Sequence, residues 1–257
     1  MKYILLILSL IFTLSCNAGI GTMTPYLNKT AIVPNGLWFY YSFDTDKNDI
    51  FVSGISNIVA TNLAIRGTIR PSLIPGVSGP ALRFFTATTT NMIIVPTSSF
   101  NFVGADWTWC FWAYPVITNG MQWEVLTRTA NASWQSGGSR FFTTINGAIY
   151  ELNTTTYGSA NYAVGVCPVS SIRSNNWYFF AMTYTNSNSS MSTYFNGVLF
   201  SNKTFAVSGT QNKTLPLHIG HLSQGNPSGG WYDLDELRIY QRALSAAEIL
   251  QIYNAGH

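Results

Sequence analysis

The stretch Asp235-Glu236-Leu237-Arg238-Ile239-Tyr240-Gln241-Arg242-Ala243-Leu244-Ser245-Ala246-Ala247-Glu248-Ile249 changes periodicity halfway along, and that change decides the fold. Up to Tyr240, apolar Leu237 and Ile239 alternate with polar residues, the period of a half-buried strand. By the same alternation Asp235 shares their inward face. Beyond it, Ser245-Ala246-Ala247-Glu248 is a capping box, in which the Ser side chain accepts the Glu248 backbone N–H and the Glu side chain reaches back to the Ser N–H. Leu244 and Ile249 occupy the two staple positions and Ile252 continues the buried stripe. The spacing predicts a strand followed by one short helix, which Gly256 can terminate.

Upstream, no second helix is suggested. From Gly36 onward the chain is a succession of short aromatic and β-branched runs, including Leu37–Phe43, Ala81–Phe85, Met92–Val95, Trp107–Tyr114, Trp177–Tyr184 and Leu215–Ile219. Asn146-Gly147 and Asn196-Gly197 separate paired runs, and both residue types tolerate the positive φ of a tight hairpin turn. Trp107–Tyr114 and Trp177–Tyr184 are apolar at odd and even positions alike, which predicts central strands covered on both faces. About a dozen short strands and one terminal helix imply an all-β sandwich or barrel.

A chain of 257 residues suits one large β domain. Hydrophobic residues make up 47% and charged residues 9%, the reverse of a disordered composition. The ten carboxylate side chains limit acid–base chemistry. The net charge of +3 comes from scattered Lys and Arg, which excludes the clustered basic footprint of a nucleic-acid partner.

Met1-Lys2 followed by the uncharged, apolar Tyr3–Ser15 is an export-signal pattern, too short to be retained as a membrane span. Residues 1–16 read as a signal peptide ending in a lipobox-like Phe12-Thr13-Leu14-Ser15-Cys16, with Cys16 lipidated; cleavage after Ala18 and free secretion is the alternative. Residues 17–35 read as a tether and 36–257 as the domain. Either way the mature protein is expected outside the cytoplasm, with membrane contact only through the lipid anchor. Cys110 and Cys167 would then form either a disulfide or two buried thiols. Six Asn-x-Ser/Thr sequons, at Asn28, Asn131, Asn153, Asn188, Asn202 and Asn212, mark polar loops.

The closing stretch resembles the terminal signature of laminin-G-like domains of concanavalin A type. The remainder follows in that family's order: Gly36–Asp44 resembles its first strand, and Asp49 with Ser53-Gly54 and Asn57 its first loop. Gly79-Pro80-Ala81-Leu82-Arg83-Phe84, Trp109–Pro115, the Asn196-Gly197 hairpin and His218-Ile219-Gly220 are similar to its later steps. The resemblance implies a jelly roll of two curved antiparallel sheets over residues 36 to 256. It also implies one structural calcium ion between the first loop and the closing strand, with Asp235 and Asp49 as carboxylate ligands. A salt bridge from Asp235 to Arg238 or Arg242, or hydrogen bonds to loop amides, would serve the buried carboxylate equally.

The related glycosidases hydrolyse with two flanking carboxylates. The nearest acidic run, Asp233-Leu234-Asp235-Glu236, already belongs to the structural signature, so catalysis is not expected. His218 and His221, three apart, would face opposite sides of a strand and not converge on a metal. Most aromatic residues at this density are core. Trp123, Trp134, Tyr157 and Trp231, set in polar or Gly-rich surroundings, are the candidates for stacking on sugar rings. The expected partner is therefore a glycan, with an extracellular protein as the alternative and glycoside hydrolysis as a third reading.

Overall fold

The computed structural model describes residues 32–44, 50–52, 64–66, 72–85, 92–95, 105–115, 123–128, 139–144, 147–153, 161–168, 175–204, 217–220 and 231–256. They form two antiparallel sheets, one α-helix and a single 3-10 turn at Asn186–Asn188. The first sheet runs in spatial order β14 (Val198–Thr204), β13 (Ser190–Phe195), β12 (Tyr178–Thr185), β7 (Trp107–Pro115), β16 (Trp231–Tyr240), β1 (Leu37–Tyr41) and β2 (Ile50–Val52). β5 (Pro80–Phe85) also pairs with β16, and β4 (Ser72–Pro75) with β5. The second sheet runs β11 (Asn161–Pro168), β10 (Gly147–Asn153), β9 (Ser139–Thr144), β8 (Trp123–Arg128), β15 (Leu217–Gly220), β6 (Met92–Val95) and β3 (Ala64–Arg66). This is the all-β jelly-roll sandwich that the strand pattern predicts. No helix among the described residues is long and apolar enough to cross a membrane.

The doubly apolar runs are central, as their composition requires. β7 lies between β12 and β16, and Trp107, Trp109, Phe111 and Trp112 are all buried. Asn196 and Gly197 turn between β13 and β14 with φ of 48° and 77°, the positive angles that an Asn-Gly pair supplies. At the other Asn-Gly pair, Gly147 is already the first residue of β10 and pairs with Thr144, and Asn146 lies outside the described residues.

The helix, α1 (Ala246–Ala255), begins at the capping box: the Glu248 N–H donates to Ser245 Oγ at 3.3 Å and the Ser245 N–H to Glu248 Oε2 at 2.9 Å. Leu244, Ile249 and Ile252 bury against one face of the first sheet, among Tyr40, Cys110, Trp112, Phe179 and Tyr240. Each such fully buried aliphatic contributes about 1.5–3 kcal/mol over remaining exposed. Tyr253 stacks on Trp112 at 5.4 Å. Gly256 caps the helix at φ −90°, so it is not there for a left-handed backbone; a Cβ would stand 2.5 Å from Trp112 Nε1.

The structure bears on two readings, the start of the folded unit and the choice between a disulfide and buried thiols. Val33 is a core residue and Ile32 packs beside it, so the folded unit reaches back into the stretch 17–35 read as tether. Cys110 is a free, buried thiol on the face of the first sheet that α1 covers, whereas Cys167 belongs to β11 in the second sheet. Cys110 therefore does not take part in a bridge with Cys167. Burial pushes its thiol up to about 12, which leaves it unreactive.

Candidate functional site

The polar groups that the structure defines best line β16, where this strand changes neighbours. Residues 231–234 pair with β5 and residues 237–240 with β1, so between them one edge of β16 has no continuous ladder. Against β7 on the other edge, Asp235 opposes Trp112 and Arg238 opposes Cys110, leaving Glu236 and Leu237 as a bulge opposite Phe111. Glu236 sits at φ +55° within it. The bulge shifts the strand's alternation. Asp235 thus lies on the Trp112 side with Arg238 and Tyr240, not on the side of Leu237 and Ile239 as simple alternation predicts.

Each carboxylate in this segment has a defined task. Asp235 Oδ2 accepts the N–H groups of Val77 (2.8 Å) and Ser78 (3.1 Å), from the turn between β4 and β5. That turn is closed by the Gly76 N–H donating to the Gly79 carbonyl at 2.7 Å. Asp233 is bridged bidentately by Arg83 at 2.7 and 2.9 Å. Burial pushes the Asp233 carboxyl up and the guanidinium pulls against it. Glu236 receives the Tyr40 hydroxyl on both oxygens at 2.9 Å and Arg238 at 2.6 Å, while the Arg238 guanidinium lies 4.3 Å from the Tyr40 ring centroid. Burial and the Glu236 charge drive the Tyr40 hydroxyl far above its ordinary pKa, so it stays protonated and donates to the carboxylate. On α1, Glu248 binds Arg242 at 2.6 and 2.9 Å, and Arg242 Nε also donates to the Asn35 carbonyl.

Of the alternatives open for Asp235, loop amides are the partners it holds, since Arg238 and Arg242 pair with Glu236 and Glu248. Asp49 lies outside the described residues. Among the described residues no group of three or more His, Cys, Asp or Glu side chains could hold a metal.

The aromatic candidates are placed only in part. Trp123 is the first residue of β8 and Trp231 the first of β16, at strand ends and not within loops. Tyr232 pairs with Pro115, the last residue of β7, and seven residues link Pro115 to Trp123. Trp134, Tyr157 and Cys16 lie outside the described residues. Sequence reasoning missed the Tyr40–Glu236–Arg238 cluster. It also missed an exposed apolar run, Val198-Leu199-Phe200, although three consecutive apolar residues after Asn196-Gly197 were a visible signal.

A sandwich with a bulged closing strand, sealed by a capped terminal helix, defines a lectin-type jelly roll. The chain belongs to the concanavalin A-like lectin/glucanases superfamily, whose laminin-G-type family model matches residues 87–250. No curated protein matches the sequence. Among solved structures it is similar to the binding domain of Paraclostridial mosquitocidal protein 1 (TM-score 0.68, 19% identity, covering 87% of this chain and 53% of that one). It is also similar to the binding domain of botulinum neurotoxin DC, solved in complex with SialylT (0.65, 13%, 88% and 52%) and with rat synaptotagmin II (0.64, 14%, 88% and 52%). The chain thus spans about half the length of the structures it matches, and at these identities the likeness speaks for the fold.

Proposed function

We propose that the protein is an extracytoplasmic, non-catalytic binding module whose ligand is carbohydrate, gripped by Trp123, Trp134, Tyr157 and Trp231. The observation that carries this reading is the commitment of Asp233, Asp235, Glu236 and Glu248 to structural partners. Hydrolysis needs two carboxylates released for proton transfer and attack, and these four hold the sheet and the helix instead. Within a superfamily of lectins and glucanases, that favours the lectin side. The neurotoxin domain solved with SialylT is a further support, as is the export pattern of Met1-Lys2 and Tyr3–Ser15, since glycans abound outside cells.

Sugar rings would stack their C–H faces on the aromatic rings while loop amides bond the hydroxyls. Affinity at a single site is expected to be weak, roughly micromolar to millimolar. Display by a lipid on Cys16 would raise it through multivalency; secretion after cleavage at Ala18 would not. A glycan array probed with folded protein tests the proposal. Binding to a defined glycan class is expected. Silence would overturn it in favour of a protein ligand, the reading that the synaptotagmin complex favours, and release of reducing sugar from a polysaccharide would restore the hydrolase.

A further inference from the structure

One transverse row of side chains crosses the first sheet at the level of Asp233. Ser72 opposes Arg83, Arg83 opposes Asp233 and Asp233 opposes Tyr114, on β4, β5, β16 and β7 in turn. Tyr114 lies two residues beyond Trp112 and Asp233 two before Asp235, so both take the face that α1 covers. Trp177, two residues before Phe179, packs against the same buried cluster and extends the row, its ring 5.4 Å from that of Tyr114 at 57°. The backbone fixes its place: Asn175, at φ +63°, donates its N–H to the Pro115 carbonyl at 3.2 Å. At about 4.8 Å per strand, Ser72 to Tyr114 span roughly 14 Å before Trp177 is added.

The helix stops one row short of these residues. Tyr253 stacks on Trp112, and a Cβ at Gly256 would stand 2.5 Å from Trp112 Nε1, so the last turn of α1 covers Trp112. Tyr114, Trp177 and Arg83 are half-buried and Ser72 is exposed. The two aromatic rings are tilted against each other, which leaves part of each face for another partner. Beside them the Arg83 guanidinium, 27% exposed, holds the Asp233 carboxylate, 1% exposed, through Nε and Nη2. This pair carries no net charge, and an anion would have to compete with Asp233 for the guanidinium. The Tyr114 and Ser72 hydroxyls both donate and accept. Apolar ring faces beside neutral donors and acceptors complement an uncharged sugar, whose C–H faces stack while its hydroxyls bond. A peptide strand could not add here, because β5, β16 and β7 each already have neighbours on both edges.

We propose that Trp177, Tyr114, Arg83 and Ser72 form a second carbohydrate subsite, on the face that α1 covers, for an uncharged oligosaccharide. It is separate from the site assigned to Trp123, Trp134, Tyr157 and Trp231, and it rests on the reading of the protein as a glycan binder. The full chain is screened on an array of neutral and sialylated oligosaccharides. Oxidative footprinting of the unsubstituted chain is then run with and without the neutral oligosaccharide that binds most tightly. Tyr114 and Trp177 are expected to be protected by the sugar. Trp177→Ala is expected to weaken binding on the order of tenfold, and Trp177→Phe, which keeps a ring against the core, to recover most of it. Arg83→Lys keeps the charge beside Asp233 but loses the planar fork, and should weaken binding severalfold. Neutral-glycan binding that leaves Tyr114 and Trp177 as reactive as before, or that Trp177→Ala does not alter, would overturn the subsite and leave the carbohydrate reading standing. Binding confined to sialylated glycans would overturn the assignment to an uncharged ligand. A silent array would overturn the carbohydrate reading itself, and the subsite with it.

Discussion

Glu236 and Tyr40 stand 196 positions apart in sequence and meet beneath α1, the tyrosine hydroxyl 2.9 Å from each carboxylate oxygen. Arg238 completes the group and is 2% exposed, so removing its partner would strand a buried charge. Glu236→Ala should cost about 3–5 kcal/mol, against about 1–3 kcal/mol for Tyr40→Phe, which leaves the ion pair intact. Pairing Glu236→Ala with Arg238→Met should recover part of the loss. Denaturant titration of the three variants decides, and equal costs for the two single changes would show that the ion pair does not hold the bulge.

Gly76 and Asp235 form a second contact that tolerates little change. A Cβ at Gly76 would sit 2.5 Å from Asp235 Oδ2 and 2.8 Å from the Gly79 carbonyl. Gly76→Ala should cost about 1–3 kcal/mol by overpacking. Because the Oδ2 atom is served by the Val77 and Ser78 amides, EDTA is expected to leave the Tm unchanged. A fall reversed by calcium would instead place an ion between Asp235 and the first loop, by linkage of ligand binding to folding.

Acid should loosen the helix in a defined window. The Arg242 hydrogen bonds, with help from Ser245, hold Glu248 down at about 2 from an ordinary 4.5. A carboxyl whose folded pKa is depressed contributes stability that is present above its unfolded pKa and lost as pH falls through the folded one. This contribution should therefore fade between about pH 4.5 and 2. Stability measured across that range should decline less steeply for Glu248→Gln than for the parent, and parallel curves would refute the assignment.

Aromatic substitutions should separate ligand contact from packing. Trp134→Ala or Tyr157→Ala is expected to weaken glycan binding with little change in Tm. Trp109→Ala removes a side chain 1% exposed at the centre of the first sheet, and should cost about 3–5 kcal/mol. If all three lower the Tm alike, the proposed stacking residues are core.

The fold was legible where local chemistry and global packing agree. The Asn196-Gly197 turn, the Ser245–Glu248 box and the doubly apolar β7 and β12 each announce their structure in a few residues. β2, β3 and β4 were not read, because three or four residues at or near a sheet edge leave no periodic trace. The bulge was readable and was missed: buried apolar residues fall at 232 and 234, then at 237 and 239, and that change of parity is the inserted residue. The engaged state of Asp235 depends on a turn 157 and 158 positions away, which no local pattern reports. For the same reason the surroundings of Trp123 and Trp231 were beyond sequence reading, since long connections between strands carry no fixed period.

The seat of β16 has a consequence for how the molecule is made. This strand lies in the middle of the first sheet, joined to β7 on one side and to β5 and β1 on the other, yet it follows every other described strand in chain order. Until residues 231–240 have been synthesised, β1, β5 and β7 lack the partner that links them. Contacts so distant in sequence also form slowly. The first sheet can therefore close only after its central strand has joined segments far apart in sequence, which makes its assembly a late and cooperative event.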